Sequence, residues 1–202
     1  MKFAKSIPKT DLTVQSRYFS EGWKKLKEPS NLLLSVMVSL PFMFICLMCN
    51  LIMLLNMNPS LFGFLKSGAM QFTFRIEHIL FFLIGMYGYM FLHEMVHAMF
   101  IPGFRQSNKT LWGIRAGFGF VYTSEPISKC RFILISVMPY VLLSLVATVV
   151  ASLAGIMNGY IAAILLLNAA GSCVDFLNVA LIMGQVPKQA TIVSNGSETY
   201  FS

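Results

Sequence analysis

Two histidines and a glutamate stand close together in the run His93-Glu94-Met95-Val96-His97. Residues four apart lie on one face of a helix, so both imidazoles can bind the same metal ion. Neutral imidazole is a good zinc ligand. Glu94 flanks that face, where a carboxylate can accept a proton from a metal-bound water. The pattern therefore predicts a Zn²⁺ site with His93 and His97 as ligands and Glu94 as the catalytic base.

This spacing is unusual for a chain with only three histidines and six glutamates. It would arise by chance in roughly one chain in a thousand of this composition, which is the false-positive risk of the bare motif. Its setting adds weight, because ionisable residues inside an apolar stretch are costly and usually functional. The alternative is a polar cluster that binds no metal, such as a proton relay.

A catalytic zinc usually has three protein ligands, so a third must come from elsewhere in the chain. His78 is a poor candidate, because it would lie about 22 Å from His93 along a straight helix. Asp175 is the only acid in the fourth apolar stretch. It is expected at a depth similar to that of His97, so we predict Asp175 as the third ligand. The alternative for Asp175 is a hydrogen-bonding role between helices without metal.

Asp175 also belongs to a polar stripe with Asn168 and Ser172, because the three residues are spaced i, i+4 and i+7. Between them lie the small residues Ala169, Ala170 and Gly171, which allow a neighbouring helix to approach closely.

The elements that position these residues are apolar. The chain has 202 residues, of which 56% are hydrophobic and only 11% charged, whereas a soluble domain carries roughly 25% charged residues. Each of four stretches has about the 20 residues needed to cross a bilayer as a helix. The sequence therefore predicts an all-α membrane protein with four transmembrane helices, the first a retained anchor. The stretches are Leu32–Leu55, Ile79–Ile101, Phe132–Ala154 and Tyr160–Met183.

The net charge of +7 is unevenly distributed. Seven Lys or Arg residues precede the first stretch and five lie between the second and third, but only two lie between the first and second and none between the third and fourth. This alternation predicts a multi-pass cell-membrane protein whose termini and 102–131 loop are cytoplasmic. The basic residues are expected to face anionic lipid headgroups of the bilayer, and nucleic acid is not expected as a partner.

Three segments follow from these patterns. Residues 1–31 form a basic cytoplasmic N-terminal segment, in which aromatic residues predict either a short interfacial helix or an irregular tail. Residues 32–186 form the four-helix transmembrane domain, with a tight turn at Asn158-Gly159 joining the last two helices. Residues 187–202 form a polar C-terminal tail, which we expect to be frayed.

The cytoplasmic loop contains a run from Gly113 to Tyr122 that mixes glycine with aromatic and β-branched residues. This composition predicts a short β-hairpin at or in the membrane, beside the metal site. Its edge would hold a substrate extended by pairing backbone to backbone. The alternative is an amphipathic loop that anchors the helices at the interface.

The chain resembles the site-2 protease type of intramembrane zinc protease. It more closely resembles a family of small bacterial membrane proteins described as zincin peptidases, over about Ile79 to Met183. The resemblance implies His93, His97 and Asp175 as zinc ligands, Glu94 as catalytic residue and Asn168 as a further polar residue of the site. The site-2 protease pattern has Pro and Gly where this chain has Gly171 and Phe176.

These observations predict a membrane-embedded zinc metalloendopeptidase that cleaves a membrane protein or peptide in or near its membrane-spanning segment. One alternative is a non-enzymatic membrane protein, such as a regulator or immunity factor, with a structural or vestigial metal site. Another is a metal or proton carrier. A carrier requires a polar path to both faces of the membrane, and the outer halves of the second and fourth stretches offer few polar residues.

Overall fold

A computed structural model describes residues 1–63, 75–115 and 118–202. Four helical segments within these ranges are long and apolar enough to cross a membrane, as the sequence predicts. We call them spans one to four: Leu32–Met57, Ile76–Phe100, Lys129–Leu153 and Gly159–Gln185. Residues 64–74 of the predicted outer loop and residues 116–117 of the predicted hairpin run lie outside the described ranges.

The spans pack around span four. Span two contacts spans three and four, span three contacts span four, and span one lies against span four and also contacts span three. Exposed apolar side chains such as Leu33, Phe44, Phe81 and Leu153 remain on the outside of the bundle, where a bilayer would surround them. Polar groups that would be costly in lipid are directed between the spans instead.

Spans three and four are each interrupted, which the apolar pattern did not reveal. Span three is α-helical over Lys129–Tyr140, a π-helix over Val141–Val146, and α-helical again over Ala147–Leu153. Span four consists of helices Gly159–Gly171 and Cys173–Gln185, which meet at Ser172. The predicted tight turn at Asn158-Gly159 is wrong: residues 154–158 join the two spans, and Gly159 is already the first residue of the helix. The Asn158 side chain caps this helix by accepting the backbone N–H groups of Tyr160 and Ile161.

The predicted hairpin is present. Strands β3 (Thr110–Arg115) and β4 (Phe118–Thr123) pair antiparallel, and the two-residue strand β1 (Lys2–Phe3) adds to the other edge of β3. The hairpin lies along span two, where the rings of Phe91 and Trp112 meet edge to face. Phe91 precedes the end of span two by about 13 Å of helix, so the hairpin reaches back beside the span.

The expectation of a frayed C-terminal tail is wrong. Strands β6 (Thr191–Asn195) and β7 (Glu198–Phe201) form a hairpin, and β5 (Ile127–Ser128) and β2 (Lys24–Lys25) complete a four-stranded sheet in the order β2-β7-β6-β5. Its apolar face packs on the ends of spans three and four through a cluster that includes Leu26, Ile127, Ile182, Ile192 and Phe201. The buried apolar face offsets the polar composition that suggested a free tail.

The N-terminal segment contains a helix, Leu12–Ser20, but its aromatic residues do not stand alone at an interface. Tyr18 and Phe19 both contact the ring of the fully buried Tyr200 on β7. The backbone of Thr199 donates to the Glu28 carboxylate, and burial raises the pKa of that carboxyl group. The N- and C-terminal segments therefore form one sheet-and-helix cap at the same end of the bundle.

Candidate metal centre

Three predicted residues converge between spans two and four. His93 and His97 lie one helical turn apart on span two, and their Nε2 atoms are 3.1 Å from each other. The Asp175 carboxylate, from span four, lies 3.3 Å from His93 Nε2 and 3.4 Å from His97 Nε2. These side chains are only 13%, 12% and 20% exposed. The two spans thus bring three metal-ligating side chains into one partly buried cluster.

The hydrogen bonds of the outer ring nitrogens fix the tautomer of both histidines. His97 Nδ1 lies 2.8 Å from the Ile135 backbone carbonyl, and His93 Nδ1 lies 2.9 Å from the side-chain oxygen of Asn168. A carbonyl oxygen only accepts, so in each ring Nδ1 carries the hydrogen and donates it. In the neutral rings both Nε2 atoms therefore present a free electron pair towards Asp175, as metal-ligating histidines do.

The orientation of the Asn168 amide is itself determined by its neighbours. Its Nδ2 donates to Ser144 Oγ at 2.8 Å and lies 3.5 Å from the Pro139 carbonyl, which only accepts. Ser144 uses its own hydrogen on the Leu165 carbonyl. The side-chain oxygen of Asn168 must therefore face His93, which gives Asn168 a positioning role beside the cluster.

Span one supports this network from behind. Asn50, fully buried, donates through Nδ2 to the Ser144 carbonyl and to Thr148 Oγ1, each at 3.1 Å. Its contact with Ser144 lies within the π-helix of span three. Sequence reasoning overlooked Asn50, Ser144 and the Ile135 carbonyl. An asparagine inside an apolar stretch was the one available indication, because such a residue must find a partner.

The cluster suits a zinc ion in both its chemistry and its dimensions. The two Nε2 atoms and the Asp175 carboxylate all present electron pairs to one point, while the ring hydrogens of the histidines are on Nδ1 and point away from it. The cluster is therefore complementary to a cation. Tetrahedral zinc with bonds of about 2.1 Å separates its ligand atoms by about 3.4 Å. The separations of 3.1, 3.3 and 3.4 Å agree with that geometry. Three protein ligands also leave one position for water or substrate, as in catalytic zinc sites.

Glu94 lies beside the cluster and is held by the hairpin. Gly119 on β4 packs directly against its side chain: a Cβ added to Gly119 would fall 2.8 Å from Glu94 Oε1 and 2.9 Å from its Cδ. The Val121 backbone N–H also faces the carboxylate. Glu94 is half-buried and is not among the three residues that could share an ion. This is where a proton acceptor for a metal-bound water would be needed.

Other predicted residues lie apart from the cluster. His78 packs against the Tyr160 ring at the far end of span two, as expected for a residue that is not a ligand. Ser172 is buried, but its hydroxyl donates to the Asn168 backbone carbonyl one turn earlier and not to the cluster. Among the described residues, His93, His97 and Asp175 form the only group of three or more His, Cys, Asp or Glu residues close enough to share a metal ion.

Four apolar spans around a His-His-Asp cluster define a helical protein of the multi-pass membrane type with a candidate metal centre. The family model described as "Putative zincin peptidase" matches residues 86–191, just over half of the chain. The chain belongs to this family. The matched region includes the histidine motif, the β3–β4 hairpin and spans three and four, and it excludes span one. No curated protein and no solved structure matches the chain.

Proposed function

We propose that the protein is a membrane-embedded zinc metalloendopeptidase. The observation that carries this proposal is the arrangement of His93, His97 and Asp175, with Glu94 next to the cluster without belonging to it. Membership of a zincin peptidase family supports hydrolysis of peptide bonds. The location of the cluster between apolar spans supports a substrate bond in or near a membrane-spanning segment.

The residues have distinct roles in this mechanism. His93, His97 and Asp175 hold the ion, and Asn168 and the Ile135 carbonyl keep the two rings aimed at it. Bound zinc supplies Lewis-acid chemistry, by which water becomes acidic enough to react near neutral pH and a carbonyl is polarised. Glu94 accepts the proton of the attacking water and then delivers it to the leaving amine.

The edge of β4 beside Glu94 is a place where a substrate strand can pair with the protein. Ser124 donates its backbone N–H to the Lys109 carbonyl, which sets the register of the hydrogen bonds between β3 and β4. The N–H and C=O groups of successive residues in a strand point to opposite edges. Those of Gly119 and Val121 therefore point away from β3. Within the described part of the chain, no strand pairs with β4 on that side. A substrate strand paired there would have its backbone extended next to Glu94.

Replacing the proton acceptor tests the proposal. Glu94→Gln should retain zinc, because Glu94 is not a ligand, and should lower cleavage of membrane-segment peptides by about 10²- to 10⁴-fold. Cleavage and zinc content would be measured on the purified protein in detergent. Glu77→Gln is a matched control on the same span, since Glu77 is exposed and pairs with the neighbouring Arg75.

Wild-type cleavage by Glu94→Gln would contradict the mechanism. Zinc bound by a wild-type protein that cleaves no membrane peptide would favour the non-enzymatic alternative.

A further inference from the structure

Span three contains a proline within its α-helical part, at position 139. Proline has no backbone N–H, so the carbonyl four residues earlier loses its helical donor. That carbonyl belongs to Ile135, and it is the one that accepts the His97 Nδ1 hydrogen at 2.8 Å. We propose that Pro139 is a positioning residue of the metal site: it keeps the Ile135 carbonyl available, so that this carbonyl fixes the tautomer and direction of His97.

The pairing satisfies two groups that would otherwise be costly. A backbone carbonyl without a donor is expensive inside an apolar span, where no water replaces the lost bond. The His97 Nδ1 hydrogen likewise needs an acceptor away from the ion. Each provides what the other lacks, and the result leaves His97 Nε2 facing Asp175 at 3.4 Å. Since the ring of Pro139 is fully buried, the position is part of the packed bundle.

The same irregularity also affects His93. Directly after Pro139 and Tyr140, the backbone of span three continues as a π-helix, which contains Ser144. Ser144 Oγ accepts from Asn168, whose side-chain oxygen accepts from His93. The irregular part of span three therefore orients one histidine through a free carbonyl and the other through a hydroxyl and an amide.

Span one offers a natural comparison. Pro41 also lies inside a helix, and it removes the helical donor of the Met37 carbonyl. Met37 is exposed, and none of the described side chains donates to its carbonyl. A proline inside a helix of this chain therefore does not by itself orient a metal-site residue. The link at Pro139 depends on His97 being there to use the carbonyl that it leaves free.

The test uses two variants that both lack the Pro139 ring and differ only in whether position 139 has a backbone N–H. Pro139→Ala restores an N–H that competes for the Ile135 carbonyl. A second variant carries lactic acid at position 139, introduced by nonsense suppression; it has the side chain of alanine but an ester oxygen instead of the N–H. Zinc affinity would be measured by chelator competition on the full-length protein in detergent, and ligand geometry by the visible absorption of bound Co²⁺.

Since the proposal rests on the metal site of the proposed function, the expected results concern metal binding. Pro139→Ala should weaken zinc binding by about 10- to 100-fold, the usual effect of losing an outer-shell partner. Its Co²⁺ spectrum should change, while the lactic acid variant and Pro41→Ala should resemble wild type.

Two kinds of result would overturn the proposal. Unchanged zinc affinity in Pro139→Ala would remove the role of the free carbonyl while leaving the proposed function intact. Equal weakening or unfolding of the alanine and lactic acid variants would assign the effect to the missing ring. A wild-type protein that binds no metal would instead refute the proposed function and this inference together.

Discussion

Glu94 and Gly119 come from different elements but form one unit of the site. The carboxylate of Glu94 rests on the backbone of Gly119, at a distance that leaves no room for a side chain on the strand. Glycine is needed at this position because the strand backbone approaches the Glu94 side chain closely. The backbone conformation is not the reason, since the φ of Gly119 is not in the left-handed region. The hairpin therefore helps to decide where the proton acceptor points relative to His93 and His97.

Adding one methyl group should displace Glu94. Gly119→Ala places a Cβ against the Glu94 side chain, and a shift of about 1 Å in a catalytic group can cost on the order of 10²-fold in rate. Cleavage should fall by that order while zinc content stays at the wild-type level. The matched control is Gly88→Ala on span two, where a Cβ would meet nothing within 4 Å. Full cleavage by Gly119→Ala would contradict this placement of Glu94.

At this scale the sequence predicted the residues that come together in the cluster, but not the groups that orient them. His93, Glu94 and His97 are recognisable because their spacing is local, and Asp175 because it is the lone acid in its stretch. That they bind zinc stays a prediction. The contact of Ile135 with His97 could not be predicted, because a backbone carbonyl has no signature of its own in the sequence.

At the scale of elements, the edge of β4 that faces away from β3 lies next to the site and has no partner strand in the described part of the chain. The Val121 N–H lies on this edge and faces Glu94, whereas the Phe120 N–H belongs to the β3 side. Removing one or the other hydrogen therefore separates pairing with a substrate from pairing within the hairpin.

Proline provides this separation because it cannot donate to a ladder. In a Glu94→Gln background, Val121→Pro should weaken binding of a membrane-segment peptide by roughly tenfold, the loss of a bond worth about 1.4 kcal/mol. Zinc content and melting temperature should change little. Phe120→Pro is the control and should lower the melting temperature, because it breaks a bond to β3. Unchanged peptide affinity in Val121→Pro would end the edge-pairing proposal.

The spans were predictable from length and hydropathy, and their ends differ from the structure by only a few residues. The C-terminal hairpin was missed although its two-residue turn is Gly196-Ser197, between the paired residues Asn195 and Glu198, with Gly196 at a φ of 63°. Glycine at the first central position is a common feature of two-residue hairpin turns. The polar composition of this segment favours a free tail, because one face of β6 becomes buried only where the ends of spans three and four cover it.

For the whole molecule, the important feature is that three separate segments meet at one end. Strand β1 from the N-terminal segment pairs with β3 from the 102–131 loop, and β2 pairs with β7 from the C-terminal segment. The terminal segments therefore lie at the same end of the bundle. The excess of Lys and Arg at that end predicts that it faces the cytoplasm.

Reporter fusions test this orientation. Green fluorescent protein should fluoresce at either terminus, and alkaline phosphatase should be inactive there, because the first folds in the cytoplasm and the second outside it. Alkaline phosphatase inserted after Asn58, at the other end of span one, is the matched control and should be active. Active alkaline phosphatase at the C-terminus would show that the predicted orientation is inverted.

The central claim is that His93, His97 and Asp175 hold a zinc ion, and metal analysis of the purified protein tests it most directly. Wild type should contain about one zinc per chain, as expected for a single three-ligand catalytic site. His93→Ala and Asp175→Ala should each lose most of it. His78→Ala should keep it, because that ring packs against Tyr160 away from the cluster. Wild-type protein without metal, or full zinc in His93→Ala, would contradict the account.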